Sequence, residues 1–349
     1  MTMFQHRKIG ETSIQVSTLG FGAASLGNLY KSVSTEEAEK TLKAALKSGI
    51  NLYDTAPRYG LGLSERRLGD VLRTQPKSNY VISTKVGRIL TPDRNADVSA
   101  LRYGFDTPMP FDTHYDYTYD GIMRSFEDSI QRLGLSELDI LLVHDIGEDT
   151  HGNKDPYYYQ QLVSGGYKAL DQLRSQGLIK AVGLGVNETQ ICERVMSLGQ
   201  FDCFLLAGRY SLLEQDALDS LFPKCYQHDA SIILGGPYNS GILATGVNGK
   251  HVPHYNYEPA PENIINKVRE IENVCTQFEV PLAAAALQFP LGHEVVATVI
   301  PGMGSEHRVV KTVELFLHDI PTEFWSTLKQ KGLLREDAPT PTKSISNGL

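Results

Sequence analysis

The sequence predicts an α/β chain folded as a (β/α)8 TIM barrel, with an N-terminal β-hairpin closing the bottom and long loops over the C-terminal face. Three observations predict it. Strand and helix signals alternate from about residue 17 to residue 318, the pattern of a mostly parallel sheet. Eight short apolar runs take part: residues 18–22, 50–54, 81–85, 140–144, 181–185, 203–207, 231–234 and 295–300. Eight such units favour a closed barrel over an open sheet. The 349 residues are 41% hydrophobic, enough for one large core, although length alone is also compatible with two domains.

The elements follow in order. Residues 5–9 and 13–16 flank Gly10-Glu11-Thr12 and read as the hairpin under the barrel. The first helix begins at a capping box, Ser34 followed by Thr35-Glu36-Glu37. Ala38, Leu42, Ala45 and Leu46 then share one face, and Gly49 supplies the stop. Residues 120–134 repeat this grammar with Ile122, Phe126, Ile130 and Leu133, and residues 188–199 with Ile191, Val195 and Leu198. Residues 88–119, 145–159 and 237–262 exceed ordinary loop length, which points to function. All follow strand ends and so belong to the C-terminal face, where barrel active sites form. Residues 1–335 read as a single barrel. Residues 336–349 are polar and Pro-containing and read as a disordered tail.

Bulk properties narrow the function. The net charge is -8 and no block of Lys or Arg stands out, which argues against nucleic acid and anionic membranes as partners. Met1-Thr2-Met3-Phe4-Gln5-His6 lacks the apolar region of a signal peptide. No apolar run approaches membrane-spanning length. Cys192, Cys203, Cys225 and Cys275 show no CxxC spacing and read as reduced, buried fillers. A cytoplasmic monomer or homodimer acting on a small molecule is expected.

Four residues carry the chemistry. Asp54 ends the second run, Lys85 the third and His144 the fourth, and Tyr59 follows Asp54 in a Pro- and Gly-rich turn. By itself, Asp54 reads as an ordinary turn residue bonding nearby amides. Lys85 changes that, because a lysine closing an apolar strand is costly to bury unpaired. Asp54 and Lys85 end adjacent strands and can pair. A cation beside Tyr59 is expected to lower its pKa from about 10 toward working pH, making the phenol a general acid or base. A neutral His144 at the same mouth can orient a substrate oxygen. Such a site suits reduction of a carbonyl or oxidation of an alcohol.

These residues also carry a resemblance. The stretch from Asp54-Thr55-Ala56-Pro57-Arg58-Tyr59-Gly60 through Ser64-Glu65-Arg66-Arg67-Leu68-Gly69, with Ser83-Thr84-Lys85 and Leu141-Leu142-Val143-His144, resembles the signature elements of the aldo-keto reductases. The resemblance runs from Gly20-Phe21-Gly22 to Ile300-Pro301-Gly302. It implies a (β/α)8 barrel, a nicotinamide dinucleotide bound without a Rossmann domain, and Asp54, Tyr59, Lys85 and His144 as the catalytic set. Ala207-Gly208-Arg209-Tyr210-Ser211 and Gly235-Gly236-Pro237-Tyr238-Asn239-Ser240-Gly241 are similar to the branch containing bacterial sugar dehydrogenases and pyridoxal dehydrogenases.

The same resemblance implies the cofactor contacts: Gly22, Asn187, Tyr238, Ser240, Gly241, Pro301, Gly302 and Arg308. Small residues in the 237–241 loop let backbone amides approach phosphate. Val186, Ala207 and Gly235 stand where members commonly carry a serine, a glutamine and an aromatic ring, so the nicotinamide is held differently here. NAD is expected ahead of NADP, because Gly302 replaces a lysine common in NADP-using members. The implied reaction is oxidation of a free aldose, of L-fucose, D-arabinose or L-galactose type, at C1 to the lactone. Pyridoxal oxidation and general aldehyde or ketone reduction are the alternatives. Tyr30, Asp145 and Arg209, with Asn28, Tyr117 and Tyr119, are the expected polar partners of a sugar.

Other patterns carry less. Gly20-Phe21-Gly22-Ala23-Ala24-Ser25 is at best half a dinucleotide fingerprint and opens no clear helix. His251-Val252-Pro253-His254 has Pro between its histidines, so no metal site is expected. Tyr157-Tyr158-Tyr159 reads as a loop wall. A metal-dependent hydrolase lacks ligand spacing. A cofactor-sensing module with little turnover is the rival from another class, since such barrels keep the same four residues.

Overall fold

Parallel pairing in chain order builds the molecule. The computed structural model describes residues 4–249 and 252–342. Its strands are β1 His6–Lys8, β2 Gln15–Ser17, β3 Phe21–Gly22, β4 Leu52–Asp54, β5 Val81–Val86, β6 Arg88–Pro92, β7 Phe111–Tyr115, β8 Ile140–His144, β9 Ala181–Val186, β10 Cys203–Ala207, β11 Ser231–Gly235, β12 His254–Tyr255, β13 Glu258–Pro259 and β14 Val296–Ile300. One eight-stranded sheet runs β14-β11-β10-β9-β8-β5-β4-β3. Parallel bridges Leu19–Val299 and Gly22–Gly302 join its two ends. There the Gly20 N–H donates to the Val299 carbonyl at 2.8 Å. With helices between successive strands, the chain is a (β/α)8 barrel.

Alternation along each strand divides the core. Ile140 and Leu142 on β8 join Leu52, Ala181, Cys203, Leu205 and Ile233 in one cluster. Leu141 and Val143 on the same strand belong to the larger cluster shared with the helices. This is the period of two expected where a sheet is covered on both faces. The hairpin β1–β2 adds Ile9, Ile14 and Val16 to the first cluster and so plugs the bottom. Arg7 ties it down, donating to the carbonyls of Val296 at 2.6 Å, Leu291 at 2.8 Å and His293 at 3.2 Å.

The helix signals hold with adjustments. The helix Thr35–Lys47 is capped by Ser34, whose Oγ accepts from the Glu37 N–H at 3.1 Å. The return half of the capping box is not made. The Glu37 carboxylate instead accepts from the N–H of Glu306, 3.0 Å away, at the start of the helix Glu306–Phe316. The helix Tyr119–Leu133 ends at Gly134 in the left-handed region. The helix expected over 188–199 shortens to Gln190–Val195, with residues 196–198 in a turn; before it, the Glu188 side chain accepts from the Asp149 N–H at 3.1 Å.

Two expectations need correction. The segment 88–119 is not only loop: β6 and β7 form an antiparallel hairpin within it. Nor does a disordered tail begin at residue 336. Ala338 is fully buried, and residues 339 and 340 pack on Gly292. Residues 343–349 lie outside the described residues, as does His251 of the histidine pair. All four cysteines are free and buried. Among the described residues no helix is long and apolar enough to cross a membrane.

Candidate active site

The C-terminal ends of β4, β5 and β8 bring the expected residues together. Register places Asp54 opposite Ser83, Lys85 opposite Leu142, and His144 opposite Gly185. Lys85 therefore projects inside the barrel mouth, with a glycine on the far side of its neighbour strand. A Cβ at Gly185 would stand 2.9 Å from Lys85 Cε, so that position must stay bare for the lysine to extend.

Lys85 and Asp54 form a buried ion pair with Nζ–Oδ2 at 2.6 Å and 1% and 3% side-chain exposure. Such a pair needs its remaining valences satisfied. Here Lys85 also donates to the Thr55 carbonyl at 2.8 Å, and Ser83 Oγ donates to Asp54 Oδ1 at 3.0 Å. Burial pulls the Lys85 pKa down, but Asp54 and Tyr59 outweigh it and hold the ammonium above its ordinary value.

Tyr59 stands beside this pair, with Lys85 Nζ 4.9 Å from its ring centroid. Its pKa departs from the sequence expectation in sign. Burial pushes the phenol up to about 12, and Lys85 offsets only part of that. Asp54 and Asp145 add to the rise. At neutral pH Tyr59 is therefore a protonated donor, and the lysine limits the rise rather than producing a low pKa.

His144 packs edge-on against Tyr59, ring centroids 6.0 Å apart. Desolvation holds its pKa well below the ordinary value, so the imidazole is neutral. Its Nδ1 is sealed and without a partner. Its Nε2 is 3.4 Å from Asp145 Oδ2, and both residues line the mouth. Asp145 adopts φ +50°, a conformation uncommon for a non-glycine residue. Its carboxylate is held by Arg88, which also lies over the Tyr115 ring at 4.5 Å.

A cavity of about 650 Å³ opens over these groups. Tyr30, Asp145, Arg209 and Asn187 line it as anticipated. Asp145 and Arg209 already have partners, Arg88 for the first and Glu214 for the second at 3.0 Å. Three other expected sugar partners are absent from the lining. Tyr117 is fully buried and donates to the His144 carbonyl at 2.8 Å. Tyr119 bonds Gln172, and Asn28 accepts from Arg67. Each was counted at the mouth because its segment is there, but helix packing and capping turn the side chains inward. The lining instead includes Arg58, Phe105, Tyr103 and Tyr257, which sequence reasoning did not place. Arg58 had one signal, its position next to Tyr59. Tyr257 had none, because only the β12–β13 hairpin swings it over the mouth.

Of the expected cofactor residues, Asn187 lines the cavity, and Ser240 and Gly241 line a second, separate hollow. Asn187 Nδ2 contacts the Tyr257 hydroxyl at 3.2 Å, and the Tyr257 N–H donates to Ser240 Oγ at 2.8 Å. Tyr238 lies within the electrostatic influence of Arg308. Gly22 donates to the Pro301 carbonyl at 3.1 Å and bridges Gly302 across the closure seam. Gly241 and Gly302 each face open space, since a Cβ there would meet nothing within 4 Å. Backbone this bare at Gly241 and Gly302 can be approached closely by a ligand. Among the described residues no group of three or more His, Cys, Asp or Glu could hold a metal ion.

Comparison with known proteins accords with this arrangement. The pattern of the Aldo/keto reductase family matches residues 18–332. A pyridoxal 4-dehydrogenase of Microbacterium luteolum is 42% identical over 338 residues, 95% of this chain and 98% of that protein. A D-threo-aldose 1-dehydrogenase of a Pseudomonas species is 35% identical over 330 residues, 94% and 96% of the two chains. Among solved structures, the glycerol dehydrogenase of Gluconobacter oxydans superposes with a TM-score of 0.74 over 97% of each chain at 19% identity, a likeness of fold.

Proposed function

The chain belongs to the aldo/keto reductase family and is an oxidoreductase, and from that premise we propose that it oxidises a cyclic hemiacetal carbon to a lactone with NAD. Tyr59 moves the proton at its hydroxyl. Lys85, anchored by Asp54, limits the cost of the phenolate. His144 holds the substrate oxygen through Nε2. The bound cofactor supplies the hydride acceptor. Asn187, Tyr238, Ser240, Gly241 and the Pro301-Gly302 turn would hold it.

Between the two hemiacetal classes, an aromatic one of the pyridoxal type stands ahead of a free aldose. One observation carries this: Tyr117, Tyr119 and Asn28 do not reach the mouth, and Tyr103, Phe105 and Tyr257 add rings to a lining that keeps Tyr30, Asp145 and Arg209. A site that bonds hydroxyls rejects analogues lacking them; this one invests in rings. The 42% relative is named for pyridoxal and the 35% relative for an aldose. NADH formation should be followed with pyridoxal, L-fucose, L-galactose and D-arabinose side by side. Faster turnover of any sugar than of pyridoxal reverses the order. No oxidation of any, with efficient aldehyde reduction, defeats the directional claim.

Two features support NAD. Gly302 offers no cation, and the start of the helix Glu306–Phe316 already carries Glu306 and the Glu37 carboxylate. A 2′-phosphate wants basic partners, and among the described residues of the Pro301-Gly302 turn and the first turn of that helix the one arginine or lysine is exposed Arg308. The raised Tyr59 pKa also fixes a pH signature. Oxidation needs the phenolate, so its rate should climb from pH 7 to 10, whereas reduction needs the phenol and should not. A falling oxidation rate over that range would remove Tyr59 as the base.

A further inference from the structure

One cation of the cavity has no counter-ion in contact with it. Its charged lining residues are Arg58, Lys85, Arg88, Asp145, Asp149 and Arg209. Lys85 is paired with Asp54, Arg88 with Asp145, and Arg209 with Glu214. The Arg58 guanidinium, though partly buried, makes no ion pair or hydrogen bond among the described residues. Its contact is with the Tyr103 ring, 5.5 Å from the guanidinium carbon. The remaining carboxylate, Asp149, is exposed at the rim. Burial, and then the nearby Arg88 charge, hold the Arg58 pKa below its ordinary value, so the contacts it has do not compensate its loss of water.

Arg58 is also in the wrong place for the cofactor. It follows β4 and is grouped with Tyr59, Arg88, Tyr115 and Asp145, on the β4–β5–β8 side of the mouth. The residues expected to hold the cofactor sit at or after the ends of β3, β9, β11 and β14. A planar guanidinium with unused donors, beside the reacting group and among aromatic rings, is matched to a planar anion.

We propose that Arg58 is the substrate-recognition residue of this cavity and takes an ionised oxygen, phenolate or carboxylate, carried on an aromatic ring near the reacting carbon. The inference deepens the dehydrogenase reading and rests on it for the reaction, but not for the binding. It makes the preferred substrate an anionic aromatic hemiacetal or aldehyde rather than a neutral sugar. Pyridoxal, with its ring hydroxyl beside the aldehyde carbon, is one member of that class; formylbenzoates are another.

Binding decides it independently of turnover. Benzoate and its neutral counterpart benzamide are titrated by ligand-observed NMR into the full-length protein, with and without NAD. Benzoate should bind at least tenfold tighter than benzamide. Arg58→Gln should abolish that ratio while leaving benzamide affinity unchanged, and Arg58→Lys should keep part of it. Equal affinity of the two ligands for the unsubstituted protein, or a ratio that survives in Arg58→Gln, overturns the proposal. Turnover then separates the two anion sources. Pyridoxal is compared with its 3-O-methyl ether, and 2-carboxybenzaldehyde with benzaldehyde. In Arg58→Gln the anionic member of a recognised pair should lose about tenfold in kcat/KM, mainly through KM, and the neutral member little. Equal losses for both members would make Arg58 a packing residue and overturn its recognition role. If the unsubstituted protein turns over none of these compounds, the dehydrogenase reading fails, and the benzoate ratio still decides Arg58.

Discussion

The two ends of the barrel are built on opposite principles. At the bottom, Ile9, Ile14 and Val16 fill the interior and Arg7 has three carbonyl acceptors. At the top, Asp145, Asn239, Ser240 and Tyr257 are non-glycine residues with positive φ. His144 Nδ1, Arg88 Nε and Arg209 Nε are buried there without partners. Strain and unmet polar groups cost free energy and persist where the surroundings enforce them. The difference teaches where stability and chemistry reside: the bottom holds the barrel closed, and the top spends some of that margin on charged groups poised in a dry mouth.

The sharpest way to break this contrast is Tyr59→Phe. Turnover should fall by roughly 10²–10⁴-fold, the usual scale for losing a general acid–base group, while Tm and NAD affinity stay near normal. A variant with near-normal kcat would end the assignment. Lys85→Met should cross the divide and damage both properties. It leaves Asp54 buried without its cation, which costs about 3–5 kcal/mol. Adding Asp54→Asn should recover most of that stability in urea melts without recovering turnover.

At the bottom, Ile14→Ala should lower stability by about 2–5 kcal/mol and leave kcat unchanged, since Ile14 is 4% exposed in the plug. A matching loss of kcat at a temperature well below the melt would mean the two ends are coupled. Gly302→Lys is a milder probe of the top. It should raise the NADP-to-NAD ratio of kcat/KM about tenfold through a new phosphate partner, on the order of 1.4 kcal/mol, with no change in Tm.

The smallest effect concerns Glu188. Burial, with Asp149 and Asp155 nearby, pushes its pKa up to about 7 from an ordinary 4.5. The folded protein thus binds the extra proton between those values, and this contribution to stability is full below about 4.5 and lost as pH rises to about 7. Glu188→Gln keeps the acceptor for Asp149 and removes the charge. It should flatten that slope and raise stability above pH 7 by about 1 kcal/mol, allowing for partial solvent screening. Chemical denaturation at pH 5 and pH 8 checks it; an unchanged slope would place the titration elsewhere.

Much of the barrel was legible because its signals are local. Apolar runs, the Ser34 cap and the Gly134 stop each act within a few residues. Boundaries moved, as in the helix expected over 188–199, which keeps only Gln190–Val195. Asp54, Lys85 and His144 were legible for the same reason, since each ends a recognisable strand. Tyr117, Tyr119 and Asn28 were misread because sequence places a residue on a loop but does not say which way its side chain faces.

The sequence by itself determined the order of strands and helices, the closure by eight units, and which residues reach the ends of β4, β5 and β8. Those follow from periodicity and from the rule that barrel strand ends share one face. Only the tertiary structure decided the electrostatics and the shape of the mouth. The Tyr59 pKa rises rather than falls because desolvation sums over everything packed around the ring, whereas the sequence shows one cation. Arg58 is left unpaired because Arg88 takes Asp145 and Arg209 takes Glu214, pairings between loops far apart in the chain. Burial and counter-charge are properties of the assembled barrel, and no local pattern encodes them.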